Sequence, residues 1–94
     1  MPKLKPSPQE ERNRIVRSCI TANQERYAIT DKFLAEHLVM SITTLRKRKL
    51  HPETFTLEEL QYLSKYLKFT PIQAASIVLG RDITSKEVKE FIMY

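Results

Sequence analysis

The spacing of hydrophobic residues along the chain predicts an all-α fold with six helices. In each segment the apolar residues recur at intervals of three and four, and no strand-like alternation or internal repeat occurs. The predicted helices are 8 to about 24, a stretch after Thr30, Ile42 to about Lys49, about 57–67, a stretch from Pro71 to the Gly80 stop, and a short stretch after Thr84.

Hydroxyl residues mark the predicted helix starts. Three of these starts have the sequence of a capping box, in which a hydroxyl and a carboxylate three residues later bond to each other's backbone amides. These pairs are Ser7 with Glu10, Thr56 with Glu59, and Thr84 with Glu87. Thr30, Ser41 and Thr70 are the remaining caps.

Each predicted helix has an apolar face, and these faces define the expected core. The residues expected to be buried are Ile15, Val16, Cys19, Ile20, Phe33, Leu34, Ala35, Leu38, Leu45, Phe55, Leu57, Leu60, Leu63, Tyr66, Leu67, Ile72, Ala75, Ser76 and Leu79. Val88, Phe91 and Ile92 form one face of the last helix, while Ile77 and Val78 lie outside the main stripe of their helix.

Charge is distributed unevenly along the 94 residues. Residues 1–50 carry 11 Lys/Arg and 5 Asp/Glu, a net charge of +6, whereas residues 51–94 carry 5 and 6, a net charge of −1. This asymmetry favours a polyanionic partner at one end of the domain, although a basic protein can also exist without one.

The remaining composition limits the kinds of functional site that the chain is expected to form. Cys19 is the only cysteine, so it can form neither an intramolecular disulfide nor a cysteine metal cluster, and its place in an apolar stripe predicts a buried, inert thiol. His37 has no second His or Cys at the spacing of metal ligands and is interpreted as a surface histidine. No segment has the length of a membrane span or the apolar run of a signal peptide, so a cytoplasmic location is expected. We expect no metal, cofactor, small-molecule ligand or membrane partner.

Leu34 to Leu45, LAEHLVMSITTL, resembles the helix-turn-helix of the phage repressor and Cro family. Leu34, Leu38, Met40 and Leu45 match the apolar positions of the family, and Ser41 matches its capping hydroxyl. With the flanking helices the resemblance covers about residues 10–80. It implies a compact five-helix domain at 7–80, a helix-turn-helix at about 30–49, and an additional C-terminal helix within 81–94. Residues 1–6 would form a flexible basic arm, either disordered or in contact with DNA.

Two positions depart from the family pattern. Val39 stands where the family usually has glycine, and a β-branched residue with positive φ is strained, so either the turn is remodelled or a longer turn relieves the strain. Arg48 stands where the family usually has an apolar residue. Its aliphatic stem could pack while its charged end reaches solvent, or the helix could end early or shift.

The geometry of the helix after Ser41 assigns roles to its side chains. With Leu45 in the core, Ile42, Thr43, Arg46, Lys47 and Leu50 project outward, and Ser41, Arg48 and Lys49 lie nearer the flanks. The predicted base-reading residues are Ile42, Thr43, Arg46 and Lys47. The predicted phosphate contacts are Ser41, Thr44, Arg48 and Lys49, and the resemblance adds the helix start near Thr56.

These features predict sequence-specific binding of double-stranded DNA by a small transcriptional regulator. The last helix would either pack on its own domain or form a homodimer with Ile77 and Val78. The alternative is a protein-interaction module, such as an antitoxin or accessory subunit, whose basic helix meets an acidic protein surface. A solvated basic helix is the plainest interpretation of Arg46 to Lys49. Catalysis is not expected, because no nucleophile has an evident base or orienting partner.

Overall fold

The first helix, α1 (Pro8–Tyr27), is the longest in a computed structural model that describes residues 7–92. The predicted arm at 1–6 and the side chains of Val88, Phe91 and Ile92 lie outside the described part. Ser7 caps α1 as predicted, but the Glu10 carboxylate bonds to Arg17 instead of completing the capping box. The helix continues past its predicted end near Gln24.

The remaining elements follow in the predicted order. They are α2 (Asp31–His37), α3 (Ile42–Leu50), a single 3₁₀ turn (Pro52–Thr54), α4 (Leu57–Tyr66), α5 (Pro71–Leu79) and α6 (Ser85–Ile92). No strand occurs within residues 7–92, and the all-α prediction is confirmed. The capping boxes at Thr56 and Thr84 form as predicted, and Gly80 ends α5 in the left-handed conformation at φ 71°.

Large aliphatic side chains from the first four helices meet in one core. Ile20, Leu34, Leu45, Leu63 and Leu67 are fully buried. Each such side chain contributes about 1.5–3 kcal/mol of burial free energy, so this cluster fixes how α1 to α4 pack. Val16, Ala35, Leu38 and Phe55 complete this core, all of them predicted.

Three residues predicted for the core are exposed instead. Phe33, Leu57 and Leu79 keep 40%, 71% and 58% of their surface accessible. Phe33 lies at the rim of the α2–α4 contact, where it stacks on His37. Leu57 is in the first turn of α4, outside the buried face that Leu63 occupies. The inner face of α5 includes the buried Ser76 and the core-packed Ile77, so the prediction that Ile77 lies outside the stripe is wrong.

Polar contacts join the C-terminal helices to the rest of the domain. The buried Asn23 side chain donates to the Leu67 carbonyl at 2.7 Å and exchanges two hydrogen bonds with Gln73 on α5. Ser76 Oγ accepts from the Ile83 amide at 3.2 Å, and α6 packs against α5. The last helix therefore packs on its own domain, which was one of the two predicted uses, while its role in a dimer stays a prediction. None of the helices within 7–92 combines the length and apolarity needed to span a membrane.

Candidate nucleic-acid interface

The turn between α2 and α3 determines how α3 is presented. Val39 adopts φ 55° and is 91% exposed. The Met40 amide donates to the Ala35 carbonyl at 3.0 Å and the Val39 amide to the Glu36 carbonyl at 3.3 Å, which is the Schellman pattern for a helix end. The turn therefore keeps the short geometry that usually uses glycine, at a strain of about 1–2 kcal/mol for valine.

The outward face of α3 consists mainly of Thr43, Arg46 and Lys47. All three are exposed, while Leu45 on the opposite side is fully buried. The predicted outward position of Ile42 is wrong, because its side chain is half-buried against the core. This leaves two cations and one hydroxyl as the groups that α3 offers to a partner along its middle. Leu50 extends the exposed face at the C-terminal end.

Arg48 is occupied within the protein. Its Nη1 donates to the Thr54 carbonyl at 2.6 Å and to Glu59 Oε1 at 3.1 Å. Its Nε is buried and has no hydrogen-bond partner among the described residues. Arg48 thus ties α3 to the start of α4, and the expectation that its charged end reaches solvent is wrong, because that end bonds to Thr54 and Glu59. The expected phosphate contact stays a prediction, and it would compete with these bonds.

Lys49 and Arg46 converge on a single carboxylate at the start of α2. Lys49 Nζ donates to Asp31 Oδ1 at 2.9 Å and to Gln24 Oε1 at 2.8 Å. Arg46 Nε donates to Asp31 Oδ2 at 3.3 Å. Gln24 Nε2 also donates to Asp31 Oδ1 at 2.9 Å. The four side chains form a polar network, here called the Asp31 network, that links α1, α2 and α3.

The Asp31 network holds its carboxylate in the charged form. Hydrogen bonds from Gln24 and then from Lys49, together with the charge of Lys49, lower the pKa of the Asp31 carboxyl to about 2, against the opposing effect of burial. Asp31 therefore stays ionised near neutral pH and neutralises part of the positive charge of α3. Lys47 makes no ion pair within residues 7–92.

A groove of about 330 Å³ lies between α1 and α3. Its lining residues are Arg17, Thr21, Arg46, Lys49 and Leu50. Arg17 reaches across from α1, and its Nη1 donates to the Leu50 carbonyl at 2.9 Å. Three of its five lining residues carry a positive charge, so the groove joins the cations of α3 to Arg17 on α1.

The remaining predicted phosphate contacts are hydroxyl residues at two helix starts, Ser41 and Thr44 at α3 and Thr56 at α4. Ser41 Oγ accepts from the Thr44 amide at 3.0 Å, and the two hydroxyls lie 2.9 Å apart. Thr56 is exposed, but its amide donates to Glu59 Oε1 at 2.8 Å and so is not free for a phosphate. That part of the expected site at the start of α4 is wrong, while contact through the Thr56 hydroxyl stays a prediction.

An aromatic surface lies where α2 meets α4. The ring centroids of Phe33 and His37 are 3.9 Å apart, and those of His37 and Tyr66 are 4.8 Å apart. Tyr62 stacks beside Tyr66 and is 41% exposed. His37 lies at the surface as predicted, but the exposed ring cluster was not expected, because Phe33 has the spacing of a core residue.

Asp31, Gln24 and Arg17 belong to the candidate interface, although the sequence predicts no site role for them beyond a position of Arg17 in solvent or toward a partner. Asp31 follows the Thr30 cap, where an acidic residue is typical of any first helical turn. Gln24 and Arg17 are unremarkable polar residues on α1. Only the packing of three helices brings them beside α3, so no local pattern could have identified them.

The chain matches no family model, no curated protein and no solved structure. The resemblance to the phage repressor and Cro family thus rests on the residues of this chain alone and stays a prediction.

Proposed function

We propose that the chain is a sequence-specific DNA-binding protein that acts as a small transcriptional regulator. The observation that carries this proposal is the exposed face of α3, where Thr43, Arg46 and Lys47 lie opposite the buried Leu45. A helix that is buried along one face and exposed along the opposite face can enter the major groove of DNA. Arginine and lysine there suit guanine, and the threonine methyl suits thymine.

In this proposal, contacts to phosphates position the helix. Ser41 and Thr44 at the start of α3 supply hydroxyl donors for the DNA backbone. Lys49 and Arg17 beside the groove to α1 supply cationic donors, and a phosphate would compete with their bonds to Asp31 and to the Leu50 carbonyl. A homodimer would place two copies of α3 in successive major grooves, with half-site centres about 34 Å apart.

Selection from a random duplex library tests the proposal. We expect an enriched consensus, and a palindrome would establish two half-sites. With about six phosphates contacted, the log–log slope of affinity against salt is expected to be about −5. The double variant Lys65→Ala with Lys86→Ala is a control for the loss of positive charge elsewhere on the surface. It removes two exposed lysines outside α3 and should preserve the consensus. Absence of any duplex preference at low salt would reject DNA binding.

The aromatic surface favours a second candidate, a protein-interaction module on the same scaffold. Phe33, His37, Tyr62 and Tyr66 present ring faces and edges of the kind enriched at protein interfaces. This role predicts that Tyr62→Ala abolishes partner binding and that Lys47→Ala does not, which is the reverse of the order expected for DNA.

A further inference from the structure

Asp31 contacts Arg46 at one defined atom. The carboxylate accepts from Nε of Arg46, and the two terminal nitrogens of the guanidinium make no hydrogen bond within residues 7–92. The guanidinium is planar, so a bond at Nε directs that edge toward Asp31 and leaves the terminal N–H groups at the far end. Those groups form the two-donor fork that matches guanine O6 and N7.

The Asp31 carboxylate is itself held in place by Gln24 and Lys49. Gln24 donates to Asp31 Oδ1 at 2.9 Å and to the Ile29 carbonyl at 3.0 Å, so it is anchored to the loop before α2. Lys49 bridges Gln24 and Asp31 from the α3 side. The Asp31 side chain is only 23% exposed, whereas that of Arg46 is 67% exposed. A fixed acceptor thus restrains an otherwise mobile side chain.

Such restraint matters for specificity. A free arginine side chain loses rotamer freedom when it binds, and a preorganised one loses less. An anionic residue beside a DNA-binding helix also repels phosphates, so it disfavours binding in which Arg46 makes no base contact. Both effects increase the difference between the correct base and the wrong one more than they increase affinity itself.

We infer that Asp31 is a specificity-determining residue, which positions Arg46 to read a guanine in the major groove. This inference rests on the proposed DNA-binding function and names the base class that one residue recognises. Asp31 acts through Arg46 and is a positioning residue.

The decisive variant is Asp31→Asn, compared with wild type on duplexes that carry each base pair at the selected guanine position. We expect the affinity ratio of guanine over adenine to fall by about tenfold, within the range of a bidentate base contact. Affinity for unrelated duplexes should rise or stay unchanged, because a negative charge has been removed. Asp82→Asn is the matched control, with the same change of charge in the exposed loop between α5 and α6, and should keep the wild-type ratio.

Arg46→Lys provides a second variant if Asp31→Asn is too unstable to measure. It keeps the charge but removes the planar fork, so it should lose the same discrimination. In the double variant the two losses should not add, because both remove one contact. A spectroscopic check needs no DNA: the Arg46 Nε–H resonance should shift in Asp31→Asn and remain unchanged in Asp82→Asn.

The possible results distinguish a failure of the Asp31 inference from a failure of the proposed DNA-binding function. If the wild-type chain selects no duplex, the proposed function fails and this inference fails with it. If it selects a guanine-containing consensus and Asp31→Asn keeps full discrimination at every position, the inference alone is overturned. If Asp31 is purely stabilising, Asp31→Asn lowers the free energy of unfolding and leaves the base preference unchanged, which also overturns the inference.

Discussion

The two halves of the basic run on α3 have the same residue types and opposite surroundings. Arg46 and Lys47 lie on the exposed face, with the Arg46 side chain 67% accessible. Arg48 and Lys49 are 27% and 24% accessible and are bonded to carboxylates on α4 and α2. The run of four cations therefore has two parts. Arg46 and Lys47 face outward, whereas Arg48 and Lys49 hold α3 against its neighbours.

This difference shows why charge counting misleads at a helix surface. Successive residues on a helix turn by about 100°, so four neighbours cover the whole circumference and cannot share one face. Buried or half-buried cations must be paired, and the pairing partners here are Asp31 and Glu59. The charge offered to a partner is smaller than the sequence suggests.

Alanine substitutions in the exposed half give the largest expected effect. Arg46→Ala and Lys47→Ala should each lose about 1–3 kcal/mol of binding free energy at one base pair, because a base contact disappears. Lys49→Ala should weaken binding to all duplexes and change base preference less than Arg46→Ala, because it removes one support of Asp31 and no base contact. Binding titrations against the selected duplex and its single-base variants measure both effects. Identical behaviour of the three variants would show that α3 provides only a basic patch.

Arg48→Ala probes the other half and should act on stability. The half-buried Glu59 would lose its cationic partner, and the free energy of unfolding should fall by about 1–2 kcal/mol. Lys47→Ala, without an ion pair among the described residues, is the control and should change stability by less than about 0.5 kcal/mol. Urea denaturation followed by circular dichroism gives both values. Unchanged stability with uniformly weaker DNA binding would instead make Arg48 a phosphate ligand.

Val39→Gly has the smallest expected effect and asks whether the turn or the ion pairs set the orientation of α3. Glycine adopts the left-handed conformation without strain, so stability should rise by about 0.5–1 kcal/mol after its larger backbone entropy is subtracted. Little packing is lost, since Val39 is 91% exposed. Base preference should not change. An altered consensus would show that the strained valine itself positions the reading face.

The helices were predictable because their signals are local. Hydroxyl caps, apolar spacing, Pro52 and Gly80 mark boundaries within a few residues of those observed. Leu34, Leu45 and Leu63 were predicted for the core, and their periodicity is strong. Phe33 and Leu57 have the same periodicity but stay exposed, Phe33 at the rim of the α2–α4 contact and Leu57 in the first turn of α4, which no single-helix pattern can reveal.

The candidate site was less predictable because its geometry depends on distant pairs. Thr43, Arg46 and Lys47 follow from rotation around one helix. The ion pairs of Arg48 and Lys49 depend on residues 11 and 18 positions away, and helix packing alone decides those neighbours. Val39 shows the same limit. The strain of a valine with positive φ is predictable from the sequence, but the fact that the fold keeps the short turn despite this strain is not.

The bond from Arg17 to the Leu50 carbonyl also bears on how the domain opens. Terminal carbonyls of a helix usually lack protein partners, and local unfolding begins at such frayed ends. In α3 the carbonyl of the last residue is bonded to a side chain of α1, and Lys49 beside it is bonded to Gln24 of the same helix. Those bonds to α1 hold the C-terminal turn of α3 against fraying, so we expect the amides of the two helices to exchange hydrogen as one cooperative unit.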